Sequence, residues 1–461
     1  MRTNSMPRIT VSLTLQVCLC ASLVGLAACG KGKEAQKEPA KEPAKEAQKE
    51  AQKEAQKEAK MVQEPAKEAA KDQVEVFSWW TGAGEQEGLD AMIADFKAKN
   101  PTIEFINAAV SGGAGTNAKA ILANRLQAGN PPDSYQRHAG LELADDIKAG
   151  KVEDLTKLFE AQGWKDKLPK GLLDAITIDG KIYSVPVNIH RANLIWFVPK
   201  TLKALGIAGP PKTWKEFLTQ AQAIKAKGKT ALAIGPTWTQ KHLLETVLLG
   251  ELGPDKYTGL WTGKTDWKSA EVTAALDTFN KVLAASDIKS SAADWQPAAD
   301  RVIDGAAVYT VMGDWLDGYL GRAKKLTFKT DYDVAASPGS SGVYDFLSDS
   351  FTLPIGAKHR AAAEKWLTEC GSVQGQDLFN PQKGSIPART DADKAKYQNY
   401  LATALKDWQD PATKIVGSLT HGVVANNAFG SEIDTALGIF VQKRDPAAFG
   451  AAIAKAYADT K

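Results

Sequence analysis

The chain has 461 residues, with 57 lysines and arginines against 54 aspartates and glutamates, and this near-neutral balance excludes a nucleic-acid partner held by phosphate charge. Beyond the first thirty residues no apolar run is long enough to cross a bilayer, which excludes a later spanning helix. The 388 residues from Val74 onward suffice for two sizeable cores.

The first element reads as an address rather than a fold. Arg2 and Arg8 precede an apolar run from Val11 to Leu26, shorter than the about 20 residues of a comfortable spanning helix. The run closes on Leu26-Ala27-Ala28-Cys29, which matches the cleavage box of bacterial lipoproteins. Residues 1–28 are therefore expected to be a signal peptide and Cys29 the lipid-bearing residue; an ordinary signal peptide with a stray cysteine is the alternative. Cys18 and Cys20 leave with the signal, so Cys370 remains alone besides Cys29 and no disulfide forms within the mature chain.

Residues 29–73 carry the anchor cysteine and a low-complexity linker of Lys-Glu-Ala-Gln and Lys-Glu-Pro-Ala repeats. From residue 31 on, eleven lysines face nine glutamates and one aspartate, so each lysine has a neighbouring acid and a nucleic-acid reading fails. With no apolar face the segment packs no core. Pro39, Pro43 and Pro65 interrupt any helix, and the segment reads as a spacer from the membrane.

Val74 to Ser78 alternates like a strand, and a loop from Trp79 to Gly84 leads into a helix with Leu89, Met92, Ile93 and Phe96 on one face. Asn100-Pro101 stops that helix, and Thr102 to Ile106 reads as the next strand, giving a βαβ unit. Ile182 to Pro186 and Asn193 to Val198 look extended. Thr213, answered by Glu216, opens a helix with a capping box. Short apolar strands are expected at Ala231–Ile234, Ala306–Val311 and Phe351–Pro354. Cys370 follows Ala363, Trp366 and Leu367 at helical spacing and reads as core. The last helix starts at Asp445-Pro446 and carries Phe449, Ile453 and Tyr457 on one face. The pattern is α/β throughout, in two lobes.

Four stretches in order carry a resemblance: Gly180-Lys181-Ile182-Tyr183-Ser184-Val185-Pro186; Pro211-Lys212-Thr213-Trp214-Lys215-Glu216-Phe217; Asp304 through Gly313-Asp314-Trp315; and Lys383-Gly384-Ser385-Ile386-Pro387-Ala388-Arg389. From about Val74 to the C-terminus the chain resembles the extracellular solute-binding proteins of sugar ABC importers. Ser78-Trp79-Trp80-Thr81 and Gln136-Arg137-His138 resemble the glucose/mannose-binding lipoproteins in particular. The resemblance implies the type II periplasmic-binding-protein fold, two lobes joined by a hinge of crossing strands with a ligand cleft between them. It implies crossings near Ile189, Leu347 and Ile386. One lobe would then be 74–189 plus 347–386, the other 190–346 plus 387–461. It also implies an extracytoplasmic, anchored monomer that delivers a monosaccharide to importer permease subunits and is not an enzyme.

A pyranose offers a ring of hydroxyls and flat C–H patches, so its site needs aromatic faces and planar polar groups. Trp79 and Trp80 sit where the first strand ends, and being adjacent they point opposite ways, which suits one core ring and one stacker. Glu85 opens the following helix, as a dipole partner or a hydroxyl acceptor. Gln136 and His138 share one side of an extended segment. Asp349 and Lys383 match positions of the glucose-binding pattern, with a structural salt bridge as the rival reading. Across the cleft, Trp315, Trp238 and Trp295 are candidate stackers and His421 a polar contact; for Trp238 and Trp295 core packing is the rival. Asn188, His190 and Arg191 read as structural residues of the first hinge crossing.

Nucleotide loops are not expected. Gly82, Gly84 and Gly88 are spaced one residue too long for a dinucleotide loop. Gly228-Lys229-Thr230 and Gly263-Lys264-Thr265 have Ala223 and Thr258 where a phosphate loop needs glycine. The histidines at 138, 190, 242, 359 and 421 show no metal spacing, so neither metal nor cofactor is expected. The rivals are a glycoside hydrolase using Glu85 and Asp349 as its carboxylate pair and a sugar sensor read by a chemoreceptor.

Overall fold

The computed structural model describes residues 72–112, 115–291 and 294–460. The signal sequence, Cys29 and nearly all of the linker lie outside the described residues.

The strand Gln73–Phe77 buries Val74, Val76 and Phe77. Helix Glu85–Lys99 follows and buries Leu89, Met92, Ile93 and Phe96, the face that their helical spacing sets. Glu85 and Glu87 lie in its first turn and Lys97 and Lys99 in its last, complementing the helix dipole. At Asn100 the backbone N–H and the side-chain amide both donate to the Phe96 carbonyl, at 2.9 Å each, and the helix ends. The strand Glu104–Asn107 then returns parallel to the first, completing the βαβ unit.

Two five-stranded sheets form. The first runs in the order 104–107, 73–77, 134–138, 349–352, 185–186. Its first three strands are parallel, and Asp349–Thr352 lies antiparallel to both its neighbours. The second runs 286–287, 230–233, 307–311, 194–197, 333–336. The first sheet sits in one large apolar cluster and much of the second in another, while Leu194 and Trp196 of the second sheet pack into the first cluster. This is the two-lobed type II periplasmic-binding-protein fold.

A third sheet, in the order 386–387, 188–191, 343–347, 414–417, carries the chain between the two. Asn188–Arg191 leaves the first sheet and leads into the second; Val343–Leu347 leaves the second and returns to the first. Ile189, Leu347 and Ile386 all lie in these crossing strands. The register gathers polar residues at one corner. Leu347 is opposite His190, and two residues later Asp349 is opposite His138.

Local details depart from the sequence reading in small ways. The segment 182–186 is two short strands, Lys181–Ile182 and Val185–Pro186, paired with different partners. The strand expected at Phe351 starts at Asp349. Thr213 Oγ1 accepts from Glu216 N at 3.1 Å, but the Glu216 carboxylate reaches back to Lys212 N at 2.8 Å, one residue earlier than a capping box requires. Cys370 is buried in helix Arg360–Gly371 with Ala363, Trp366 and Leu367. The last helix, Pro446–Thr460, buries Phe449 and Ile453, and the Tyr457 hydroxyl donates to the Trp261 carbonyl at 3.0 Å. Among the described residues no helix is long and apolar enough to cross a membrane.

Candidate functional site

A cavity of about 210 Å³ is lined from the sides of both sheets. The first sheet and its helices supply Trp79, Glu85, His138, Asp349 and Lys383. The opposite side supplies Trp238, Trp295, Trp315 and His421. Nine of the eleven sugar-binding residues expected from the sequence therefore meet in one place; Trp80 and Gln136 stand outside the lining. The two sides also meet directly. A Cβ on Gly318, beside Trp315, would sit 2.5 Å from the Lys383 carbonyl, so only glycine allows that approach.

The adjacent tryptophans separate as pleat alternation requires. Trp79 lines the cavity, with the Lys119 ammonium 5.1 Å above its ring and the ring of His138 5.2 Å away. Gly115, at φ +98°, closes against its indole, where a Cβ would come within 2.9 Å. Trp80 is fully buried, 4.2 Å from Phe379 and 5.3 Å from Phe351, and belongs to the core. Gln136 is also removed from the ligand side. Its Oε1 accepts from Trp79 N at 3.1 Å and its Nε2 donates to Asp349 Oδ1 at 2.9 Å, so it braces two cavity residues from behind.

Asp349 is the hub. Its Oδ1 takes the Gln136 amide, its Oδ2 takes Asn188 Nδ2 at 2.9 Å, and Asn188 Oδ1 in turn accepts from Asp349 N at 2.8 Å. Burial alone would raise the Asp349 carboxyl; His190, Lys383 and His138 outweigh it and hold the group well below the usual carboxylate range. Lys383 does not pair with Asp349. It ends the helix Val373–Lys383 and pairs instead with Glu85 Oε1. Glu85 Oε2 also accepts from Gly82 N at 3.2 Å, so the carboxylate ties the loop to the helix it opens.

The facing side is ringed with aromatics. Trp315 lies 5.2 Å from His421, and Trp238 is 6.4 Å from Trp315 and 6.3 Å from His421. Trp295 packs edge-on against Tyr319 at 5.3 Å. The Nε1 of Trp238 is buried without a partner. Burial, with His138, His242 and Lys119 nearby, holds His421 well below the ordinary histidine value, so its ring is neutral.

Three further features were not read from the sequence. His190, assigned to the hinge, lines the cavity; its alternation with Asn188, which reaches Asp349, was the available signal. Thr81 and Asp294 also line it from loops, and Gln296 from the start of helix Gln296–Ile303. Finally, the fold gathers His242, Glu245 and His421, whose candidate ligand atoms lie within 4.8 Å of one another, although their spacing in the chain gives no hint of it. Glu245 already accepts from Ser418 Oγ at 3.1 Å and Thr420 N at 2.7 Å, and His242 Nε2 donates to the Ala192 carbonyl at 2.8 Å. Burial pushes His242 down to about 4.

The sequence model of bacterial extracellular solute-binding proteins matches residues 80–377, well over half the chain. The chain belongs to that family. An uncharacterized ABC transporter extracellular-binding protein of Pyrococcus horikoshii is 34% identical over 376 residues, 81% of this chain and 84% of the relative. A probable sugar-binding periplasmic protein of Rhizobium meliloti is 31% identical over 357 residues, 76% of this chain and 85% of the relative. Among solved structures, the bacterial solute receptor AcbH, described as preferring β-D-galactopyranose, superimposes with a TM-score of 0.73 at 17% identity. The match covers 85% of this chain and 98% of AcbH. An extracellular solute-binding protein works outside the cytoplasm.

Proposed function

We propose that this solute-binding protein is the sugar receptor of an ABC importer and encloses one monosaccharide of the glucose/mannose type. The observation that carries the reading is the cavity itself. Charged and amide-braced groups line one side, aromatic rings the other, and its volume of about 210 Å³ falls below the range of about 300–1,000 Å³ typical of drug-sized ligands. Lys383, Glu85, Asp349 and His138 match ring hydroxyls as donors and acceptors, with charge-assisted bonds of about 1.5–3 kcal/mol each. Trp315, Trp295 and Trp238 match C–H faces. A ligand held from both sides favours the closed lobes by its differential contacts, and the closed form is what the permease subunits receive. The sugar-binding relative in Rhizobium meliloti supports the same substrate class.

The hydrolase reading gains nothing here. A general acid needs a raised carboxyl, whereas Asp349 is held low and Glu85 is ion-paired to Lys383. We further propose that the protein acts as a monomer tethered through a lipid on Cys29; a Cys29→Ser variant found in the soluble fraction supports the tether, and one retained on the membrane removes it. The function is tested by titrating a panel of monosaccharides and disaccharides, read by calorimetry and tryptophan fluorescence. Stoichiometric glucose or mannose binding without turnover is expected. Binding confined to oligosaccharides would overturn the monosaccharide reading, and release of reducing ends would overturn the receptor reading.

A further inference from the structure

We propose that His190 is a hydrogen-bond donor to the bound solute from the floor of the cleft, with Asp314 as the residue that positions it. The proposal rests on reading the cavity as a sugar site. It assigns a ligand contact to a hinge strand and explains the aspartate in Gly313-Asp314-Trp315.

The geometry fixes the ring on one side and leaves it open on the other. His190 Nδ1 bonds Asp314 Oδ1, and Asp314 Oδ2 accepts from Arg191 N at 2.9 Å. Asp314 has no exposed surface, so this carboxylate serves the strand 188–191 and nothing in solvent. Burial raises the Asp314 carboxyl against the opposing pull of His190 and Arg191 N, and in its ionised form it only accepts, so Nδ1 donates to it. The ring of Trp315 stands edge-on to the imidazole at 5.4 Å and restricts its rotation. Nε2 is buried with no hydrogen-bond partner, in a residue that lines the cavity. Asp349 Oδ2 lies 3.4 Å away, an ion-pair contact outside hydrogen-bond geometry, and its hydrogen bond comes from Asn188. A buried nitrogen without a hydrogen bond is costly even beside an opposite charge, and a ligand hydroxyl in the cavity is the partner that would complete it.

The charged and titratable groups around the ring come from every side. Asp314 lies on the segment after strand 307–311, Asp349 on the first sheet, Lys383 at a helix end, and His421 in the loop after strand 414–417. Burial lowers His190, but Asp314 and then Asp349 outweigh it, and the net shift is upward. The shift favours the protonated ring, in which both nitrogens carry protons and Nε2 is a donor. The same tripeptide supplies the stacking ring of Trp315 and the anchor of this donor.

The test uses the purified protein with D-glucose and D-mannose, by calorimetry from pH 6 to 9. Nitrogen-15 NMR follows the imidazoles of the wild type, with the His190 signals assigned by their loss in His190→Gln. The wild type is expected to lose affinity as pH rises through the His190 value, and its Nε2 signal to move on sugar binding. His190→Gln is expected to bind about tenfold or more weakly with a flattened profile, and Asp314→Asn to shift the ring's titration downward. Matched melting curves separate these effects from unfolding, and the wild-type NMR titration of His190 needs the variant only for assignment. A ring that titrates at or below the ordinary histidine value, or an Nε2 signal unmoved by sugar, overturns the proposal. Sugar binding in the wild type with an unaffected His190→Gln variant removes this inference alone. No binding of any sugar by the wild type removes the sugar reading and this donor with it.

Discussion

The two sides of the cleft are built on different physics. On the first sheet's side the ligand surface is a network: Glu85 with Lys383, and Asp349 held by Gln136 and Asn188. Each group there is oriented by a second polar group, so the side is rigid and directional. On the opposite side Trp238, Trp295 and Trp315 offer rings, with neutral His421 between two of them. Rings accept any flat apolar patch, whereas the network accepts hydroxyls only at set positions. The comparison teaches where each property resides: which hydroxyls are allowed is set on the first sheet's side, and part of the closing energy comes from the other.

The largest test breaks the network. Lys383→Met removes a charge-assisted donor and leaves Glu85 without its partner, so sugar affinity should fall about 100-fold or more by calorimetry. Trp315→Ala should cost about tenfold, since aromatic contacts add about 0.5–1.5 kcal/mol beyond the area they bury. If the network sets specificity, Trp315→Ala weakens glucose and its epimers by similar factors, while Lys383→Met compresses the differences between them. Equal compression by both variants would erase the distinction between the two sides.

Much of this was legible before any coordinates. The βαβ start, the buried face of the first helix and the stop at Asn100 follow from periodicity and one Asn-Pro pair. Long-range geometry was not. Gln136 and Trp80 fit a family pattern, but a pattern marks position and not depth. That Gln136 braces Asp349 from across 213 residues depends on strand 349–352 entering the first sheet antiparallel. His190 was hidden for the same reason: only the register of the crossing strands sets it opposite Leu347, two residues from Asp349. The gathering of His242, Glu245 and His421 likewise joins one helix to a loop far along the chain.

A pH test sharpens the network's role in stability. Asp349 is held below its unfolded value, so its ionised form stabilises the fold above the unfolded carboxylate pKa near 4. That contribution disappears as pH falls through the folded value. Asp349→Asn should therefore be less stable than wild type by about 2 kcal/mol at pH 7. In denaturant titrations the gap should narrow as pH drops below 4. A gap that is constant with pH would mean the loss is packing rather than charge.

The smallest effect on binding is expected one residue from a cavity ring. Trp80 touches Phe379 and Phe351 and lies outside the cavity lining, while Trp79 lines it. Trp80→Phe removes buried volume beneath the network without removing a ligand contact. It should lower unfolding stability by about 1–3 kcal/mol, since a large-to-small core change leaves a partial void. Sugar affinity should change by less than about twofold, because Glu85, Lys383 and Asp349 are positioned by hydrogen bonds that do not pass through Trp80. Trp79→Phe should show the reverse, losing affinity with the smaller change in stability. If Trp80→Phe instead weakens binding as much as Trp79→Phe, the network is not self-supporting. The rigidity of the polar side would then come from the core packed behind it.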